Sequence, residues 1–297
     1  MVENRTLGGR LLLALFYIGL AVTGLACFLP MMHLWAVSLS SRAASSGNLV
    51  GLWPVDFTMT SYRVVMTSTA FTRAMWVSVQ RVFLGTAINL VVIVLTAYPL
   101  SRTPKEFKGR NVFMGLMIFA MLFSGGLIPW YLNLISLGLR DNLWALVLPG
   151  MLPIWSVLLT MNFFREIPRE MDEAAVIDGA SHFDLLLRVY LPMSTPVLAT
   201  VTLFAMVGHW NSWFDGMVLI NKSHLVPLQT YMRRVVILGD TVGFLPRFDS
   251  TIEEMLNFSD RSLKSAQIFI ATLPILCAYP LLQRYFIHGI RLGAVKG

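Results

Sequence analysis

Ile167 to Pro192 reads IPREMDEAAVIDGASHFDLLLRVYLP, a charged, helix-favouring run set between two apolar runs of membrane-spanning length. Pro168 suits the first turn of a helix over Arg169 to Ile177, and Glu170, Asp172 and Glu173 sit near its positive end. At helical spacing Met171, Ala174 and Ala175 share a face. With Ile177 and Gly179 they give a surface of little bulk, which another protein can approach closely. Gly179 ends or bends this helix, and a second amphipathic stretch follows from Phe183 to Tyr190. Such a segment predicts a membrane protein that is handled by a partner on its cytoplasmic side.

Composition sets the surroundings. Of 297 residues 56% are hydrophobic and 13% charged, about half the charge of an ordinary soluble domain. The net charge of +7 is the mark of a protein held against anionic lipid rather than nucleic acid, because no basic cluster exceeds Arg102 to Arg110. Cys27 and Cys277 both lie in apolar runs and read as small core hydrophobes.

Six apolar runs approach the roughly 20 residues that cross a bilayer: Leu11–Trp35, Val77–Leu100, Val112–Leu134, Leu143–Phe163, Pro196–Leu219 and Ala266–Phe286. The first is too long for a signal core and reads as a retained helix. Arg5 and Arg10 before it, Arg102, Lys105, Lys108 and Arg110 after the second run, and Arg284, Arg291 and Lys296 after the sixth place both termini inside. Ile167–Pro192 is inside as well. The long stretch Asn221–Ser265, with a helical Leu228–Leu238 and acidic Glu253 and Glu254, is outside. The expectation is one all-α membrane domain over 1–297, with residues 167–192 as its cytoplasmic segment.

Three runs carry groups that hydrocarbon does not accept. Ser124-Gly125-Gly126 followed by Pro129 breaks the third span, which is tolerable only where protein or a water-filled cavity covers the freed backbone. Arg81 and Asn89 lie in the second span, and the fifth ends in Gly208-His209-Trp210-Asn211-Ser212-Trp213-Phe214-Asp215. Polar groups at that depth face a bundle interior or a pathway. Asn89, Trp210 and Asn211 are the candidate pathway residues, an aromatic face and amides suiting the C–H face and hydroxyls of a sugar. The alternatives are that Trp210 and Trp213 anchor at the interface and that Arg81 snorkels outward.

The chain has no phosphate-binding glycine loop, no histidine pair at metal-ligand spacing and almost no acidic residue inside its spans. Neither an enzyme nor an ion-coupled transporter fits.

Glu173-Ala174-Ala175, then Gly179, then Leu191-Pro192 resembles the cytoplasmic signature of the permease subunits of binding-protein-dependent ABC importers. Ala97-Tyr98-Pro99-Leu100-Ser101-Arg102, Pro227-Leu228-Gln229 and the terminal Gly289 to Gly297 are similar to the carbohydrate group. Phe123 to Pro129 resembles its oligosaccharide subgroup, including aldouronate and alginate importers. The resemblance implies the type I importer permease fold in a bacterial inner membrane. The implied partners are a second homologous permease, two cytoplasmic ATPase subunits that bind the ATP, and an extracytoplasmic solute-binding protein. It implies no cofactor in this chain. Met171, Glu173, Ala174, Ala175, Ile177 and Gly179 would form the ATPase-coupling surface. The rival readings are an importer of another polar solute and a membrane scaffold without transport.

Overall fold

The computed structural model describes residues 7–237 and 259–293, and among them every regular element is helical. Glu253, Glu254, Arg5, Lys296 and the last residue of the expected Leu228–Leu238 helix lie outside the described residues. The chain falls into two units, Met1–Thr72 with Leu245–Leu273, and Arg73–Phe244 with Pro274–Gly297.

The first unit holds α1 (Leu7–Ser38), α2 (Arg42–Ser46), α3 (Thr60–Thr67) and the start of α14 (Asp260–Gly293). The 32 residues of α1 rise about 48 Å, more than the bilayer core requires. Its most apolar window has no buried residue, so that surface is solvated by something other than this chain. Only the carboxyl end is packed, where Ala36 and Val37 meet Ala44 and Val50. The polar seam of this unit is made of hydroxyls: Ser45 Oγ lies 2.7 Å from Ser259 Oγ, and Ser61 donates to Ser262 at 3.0 Å. Arg261 adds a bond to Asn48. These pairs satisfy groups that would otherwise be buried without partners.

The second unit carries most of α4 (Thr69–Ser101), α5 (Arg110–Leu122), α6 (Leu127–Ser136), α7 (Ile154–Arg165), α8 (Arg169–Ile177), α9 (His182–Leu185), α10 (Leu191–Met193), α11 (Thr195–Asn211), α12 (Phe214–Leu219) and α13 (Leu228–Met232). Among the described residues two helices, α1 and α4, are long and apolar enough to span unbroken, and three bent pairs pass the same test when each pair is taken together. The axis turns by 118° between α5 and α6, by 48° between the 3₁₀ turns of Leu143–Gly150 and α7, and by 82° between His182–Met193 and α11. The 34-residue α14 supplies the sixth long segment.

Local chemistry explains the breaks. Gly126 stands at φ 85°, open to glycine and costly for other residues. The fifth span is shorter than its hydropathy suggests: α11 stops at Asn211, and Phe214 to Leu219 form the separate α12. The core of this unit joins Ile93, Ala97 and Leu100 of α4 to Val157, Met161 and Phe164 of α7 and to Val197 and Val201 of α11.

Both cysteines are free and exposed on the chain, not in its core. An apolar run in a lipid-dissolved helix marks its outer face as readily as its inner one.

Candidate functional site

Two of the three breaks border one cavity of about 1,090 Å³ in the second unit, and the carboxyl end of α11 reaches it from another side. Ser124, Gly125, Gly126 and Pro129 border it from the α5–α6 break, Pro149 and Gly150 from the turn before α7, and Gly208, His209 and Ser212 from the end of α11. The expected cover for the Gly-Gly-Leu-Ile-Pro backbone is therefore a cavity wall. Trp130, Trp155, Phe204 and Phe214 present aromatic surface to it. The volume exceeds the usual range for drug-sized ligands, so the space admits a molecule of several rings.

Two polar clusters stand in its wall. Asn89 of α4 donates through Nδ2 to the carbonyls of Gly150 at 2.8 Å and Met151 at 3.1 Å. Its Oδ1 lies 2.6 Å from His209 Nε2. One amide thus clasps α4, α11 and the turn before α7, and both its N–H groups are committed to the protein. The clasp requires Gly85, since a Cβ there would sit 2.4 Å from His209 Nε2.

In the second cluster Arg81, 3% exposed, pairs with Asp215 through both terminal nitrogens and also donates to the Ser212 carbonyl at 3.2 Å. Asp215 further accepts from Ser212 Oγ and from the Gly216 amide, each at 2.9 Å. The charge pair ties α4 to the start of α12. Arg81 does not snorkel, because its partner lies inside the protein. The sequence signal for this pair is that Arg81 is the one cation of the second apolar run and Asp215 the one carboxylate of the fifth. Two isolated charges in apolar surroundings are expected to meet.

Of the candidate pathway residues, Asn89 borders the cavity, while Trp210 and Asn211 do not. Trp210 is buried against an apolar groove with Phe83, Leu90, Met206 and Pro274. Asn211 is exposed at the last position of α11. His209 and Trp210 are one residue and about 100° apart on the helix, and His209 faces the cavity while Trp210 faces the apolar groove.

The other candidate surface is α8. None of its side chains is buried, and Met171, Val176 and Ile177 are exposed, Ile177 at 84%. Glu173, Ala174 and Gly179 are exposed too, and Ala175 is partly covered. Gly179 adopts φ 78° and closes the helix: its amide donates to Val176 and that of Ala180 to Ala175, at 3.0 and 2.9 Å. This is the Schellman arrangement that favours glycine. Ser181 then caps α9 reciprocally with Asp184.

Beneath α8 lies a cluster at the carboxyl end of α4. Arg102 pairs with Asp172, and Tyr190 Oη donates to the same carboxylate at 2.9 Å. The guanidinium lies 4.5 Å from the centre of the Tyr98 ring and 4.8 Å from that of Tyr190. Arg110 and Arg165 both donate to the Leu100 carbonyl, at 2.9 and 3.2 Å. The basic residues that orient the chain thus also cap the negative end of α4. Among the described residues no three histidines, cysteines or carboxylates are grouped to hold a metal ion.

Over residues 9–292 the chain matches the family described as binding-protein-dependent transport system inner membrane component. It is similar to Protein LplC of Bacillus subtilis (strain 168), with 39% identity over 99% of this chain and 98% of that protein. It is also similar to the polygalacturonan/rhamnogalacturonan transport system permease protein YtcP of the same organism, with 35% identity over 97% and 99%. Among solved structures it resembles a bacterial ABC transporter involved in the import of the acidic polysaccharide alginate. There the TM-score is 0.86 and the identity 29%, over 96% of this chain and 100% of that one.

Proposed function

The chain belongs to the binding-protein-dependent transport system inner membrane components, and we propose that it is the permease subunit of an ATP-driven importer of oligosaccharides, acidic ones included. The cavity carries this reading. Two broken spans turn irregular backbone toward it, which is costly in a membrane helix bundle and expected where such backbone lines a substrate path. Aromatic faces beside backbone carbonyls and amides suit sugar rings and hydroxyls. The relatives that handle polygalacturonan, rhamnogalacturonan and alginate support a uronate-containing cargo. Within the cavity we assign the sugar-facing role to Trp130, Trp155 and Phe214. Asn89 organises the wall.

The energy enters through α8. Its exposed Met171, Val176 and Ile177, with Ala174, Ala175 and Glu173 beside them, form a docking face for a cytoplasmic ATPase subunit, and Gly179 sets the turn that presents it. A second permease would complete the pore, two ATPases would drive it, and a solute-binding protein would deliver the sugar from outside. The test is ATP hydrolysis by the complex reconstituted in vesicles, with binding protein loaded with uronate or neutral oligosaccharides. Stimulation by uronate oligomers is expected. No stimulation by either class refutes the cargo assignment.

A further inference from the structure

The segment α8 is largely exposed and is held by a single ion pair among the described residues. None of the side chains of α8 is buried, and Asp172 is its one strong side-chain anchor among the described residues. Glu173, next to it, borders the same recess but has no ion-pair partner there. Asp172 in contrast is mostly covered, 18% exposed, and meets two elements at once. Arg102 follows the last residue of α4 directly, and Tyr190 closes the π-helical turn that leads through α10 into α11.

We propose that Arg102 and Asp172 are positioning residues that form the joint by which displacement of α8 reaches the cavity. The inference rests on the proposed docking of an ATPase subunit at α8. The joint is stiff because the guanidinium is planar, paired and packed against two tyrosine rings. Those rings stand nearly perpendicular, at 86° and 5.1 Å. Phe164 of α7 backs Tyr190 at 5.3 Å. Pro168 precedes α8 without a side-chain cap, and Gly179 at positive φ follows it, so neither end adds a side-chain anchor. A push on Val176 and Ile177 is therefore resolved at Asp172. From Arg102 it travels along α4, whose Asn89 lies 13 residues and about 20 Å away. From Tyr190 it travels along α11 to Gly208 and His209. The segments that follow α4 and precede α11, the two helices that share the Asn89–His209 clasp, thus meet at one carboxylate.

The experiment uses the full reconstituted complex and reads sugar taken up per ATP hydrolysed, together with co-purification of the ATPase subunits. Asp172→Asn and Arg102→Met are each expected to lower uptake per ATP by about tenfold, within the range for directly contacting residues. Their combination should be no worse than the worse single variant, and Asp172→Glu should keep most of the coupling. Additive losses, or unchanged uptake per ATP in the single variants, overturn the joint. Ile177→Asp addresses the docking reading separately, by loss of co-purifying ATPase. If it loses none, docking at α8 is wrong whatever Asp172 does. Should Asp172→Asn fail to accumulate, Tyr190→Phe removes only the hydroxyl bond and is expected to lower uptake per ATP by about twofold. No change in that variant also overturns the proposal.

Discussion

Asp215→Asn tests whether the charge pair in the cavity wall holds the helices it joins. The asparagine keeps the shape and the acceptor oxygen that Ser212 Oγ and the Gly216 amide use. What it removes is the charge facing an arginine that is 3% exposed. Stranding a buried charge costs about 3–5 kcal/mol. Asp215→Ala also strands the Ser212 hydroxyl and the Gly216 amide, adding about 1 kcal/mol for each. Arg81→Met is milder, about 3 kcal/mol, since Asp215 retains two donors and is 17% exposed. The informative variant is Arg81→Met combined with Asp215→Asn, expected within about 1 kcal/mol of the parent because no unpaired charge remains. The assay is thermal unfolding of the detergent-solubilised protein. At roughly 2–4 °C per kcal/mol for a chain of this class, Asp215→Asn should lower Tm by at least about 6 °C. Single variants within about 2 °C of the parent, or a double variant worse than either, would refute the pair as a fastening.

Gly85→Ala places a Cβ 2.4 Å from His209 Nε2 and should cost about 1–3 kcal/mol by overpacking, visible as a lowered Tm in the same assay. Gly179→Val forces a β-branched residue to φ 78°, a penalty of about 1–2 kcal/mol; faster proteolysis across Asp178–Ser181 and less co-purified ATPase are expected. Asp141 is held below the ordinary carboxylate range chiefly by the Asn221 amide, against a smaller opposing effect of burial and with help from the Lys222 amide. A depressed carboxylate stabilises above its unfolded value, about 3.9, and loses that contribution as pH falls through the lower folded value. Amide exchange at Asn221 and Lys222, corrected for intrinsic rates, should therefore stay protected down to about pH 4 and open below it, while Asp141→Asn should lose part of the protection at neutral pH.

The helices were legible because membrane-spanning length and apolarity are properties of a segment. The break at Ser124 to Pro129 was legible for a related reason, since glycine and proline act on their own backbone. The end of α11 was not. Hydropathy continues through Trp213 and Phe214, and nothing in the side chains of Ser212 and Trp213 announces that the hydrogen-bond ladder stops. Facing was the harder question. In water, polar and apolar residues sort a helix into sides, but in lipid the outer surface is as apolar as the core. Trp210 and the two cysteines could therefore not be placed by type. Asn89 could, because an amide at that depth must find partners, and it found three. Asp172 was visible only as a flanking charge, since its partner Arg102 lies 70 residues away in sequence.

The same reasoning accounts for where α4 keeps its polar groups. Arg81 and Arg102 are 21 residues apart, about 32 Å along a helix, close to the roughly 30 Å of the hydrocarbon core. Arg81 within α4 and Arg102 just past its end are thus spaced to lie near opposite interfaces, where a charge is least costly. Each is paired by a carboxylate from a different segment, Asp215 at one end and Asp172 at the other. Asn89 falls between them, and there the helix carries an amide instead of a charge, with every N–H used. The cavity opens at that level, beside the clasp and between the two ion pairs. From Arg81 to Asn89 α4 is thus held by a charge pair and by a neutral clasp, and Pro99 lies within the helix between Asn89 and Arg102. On the proposed joint, a displacement at Arg102 reaches Asn89 in the cavity wall through the turn of α4 that contains Pro99.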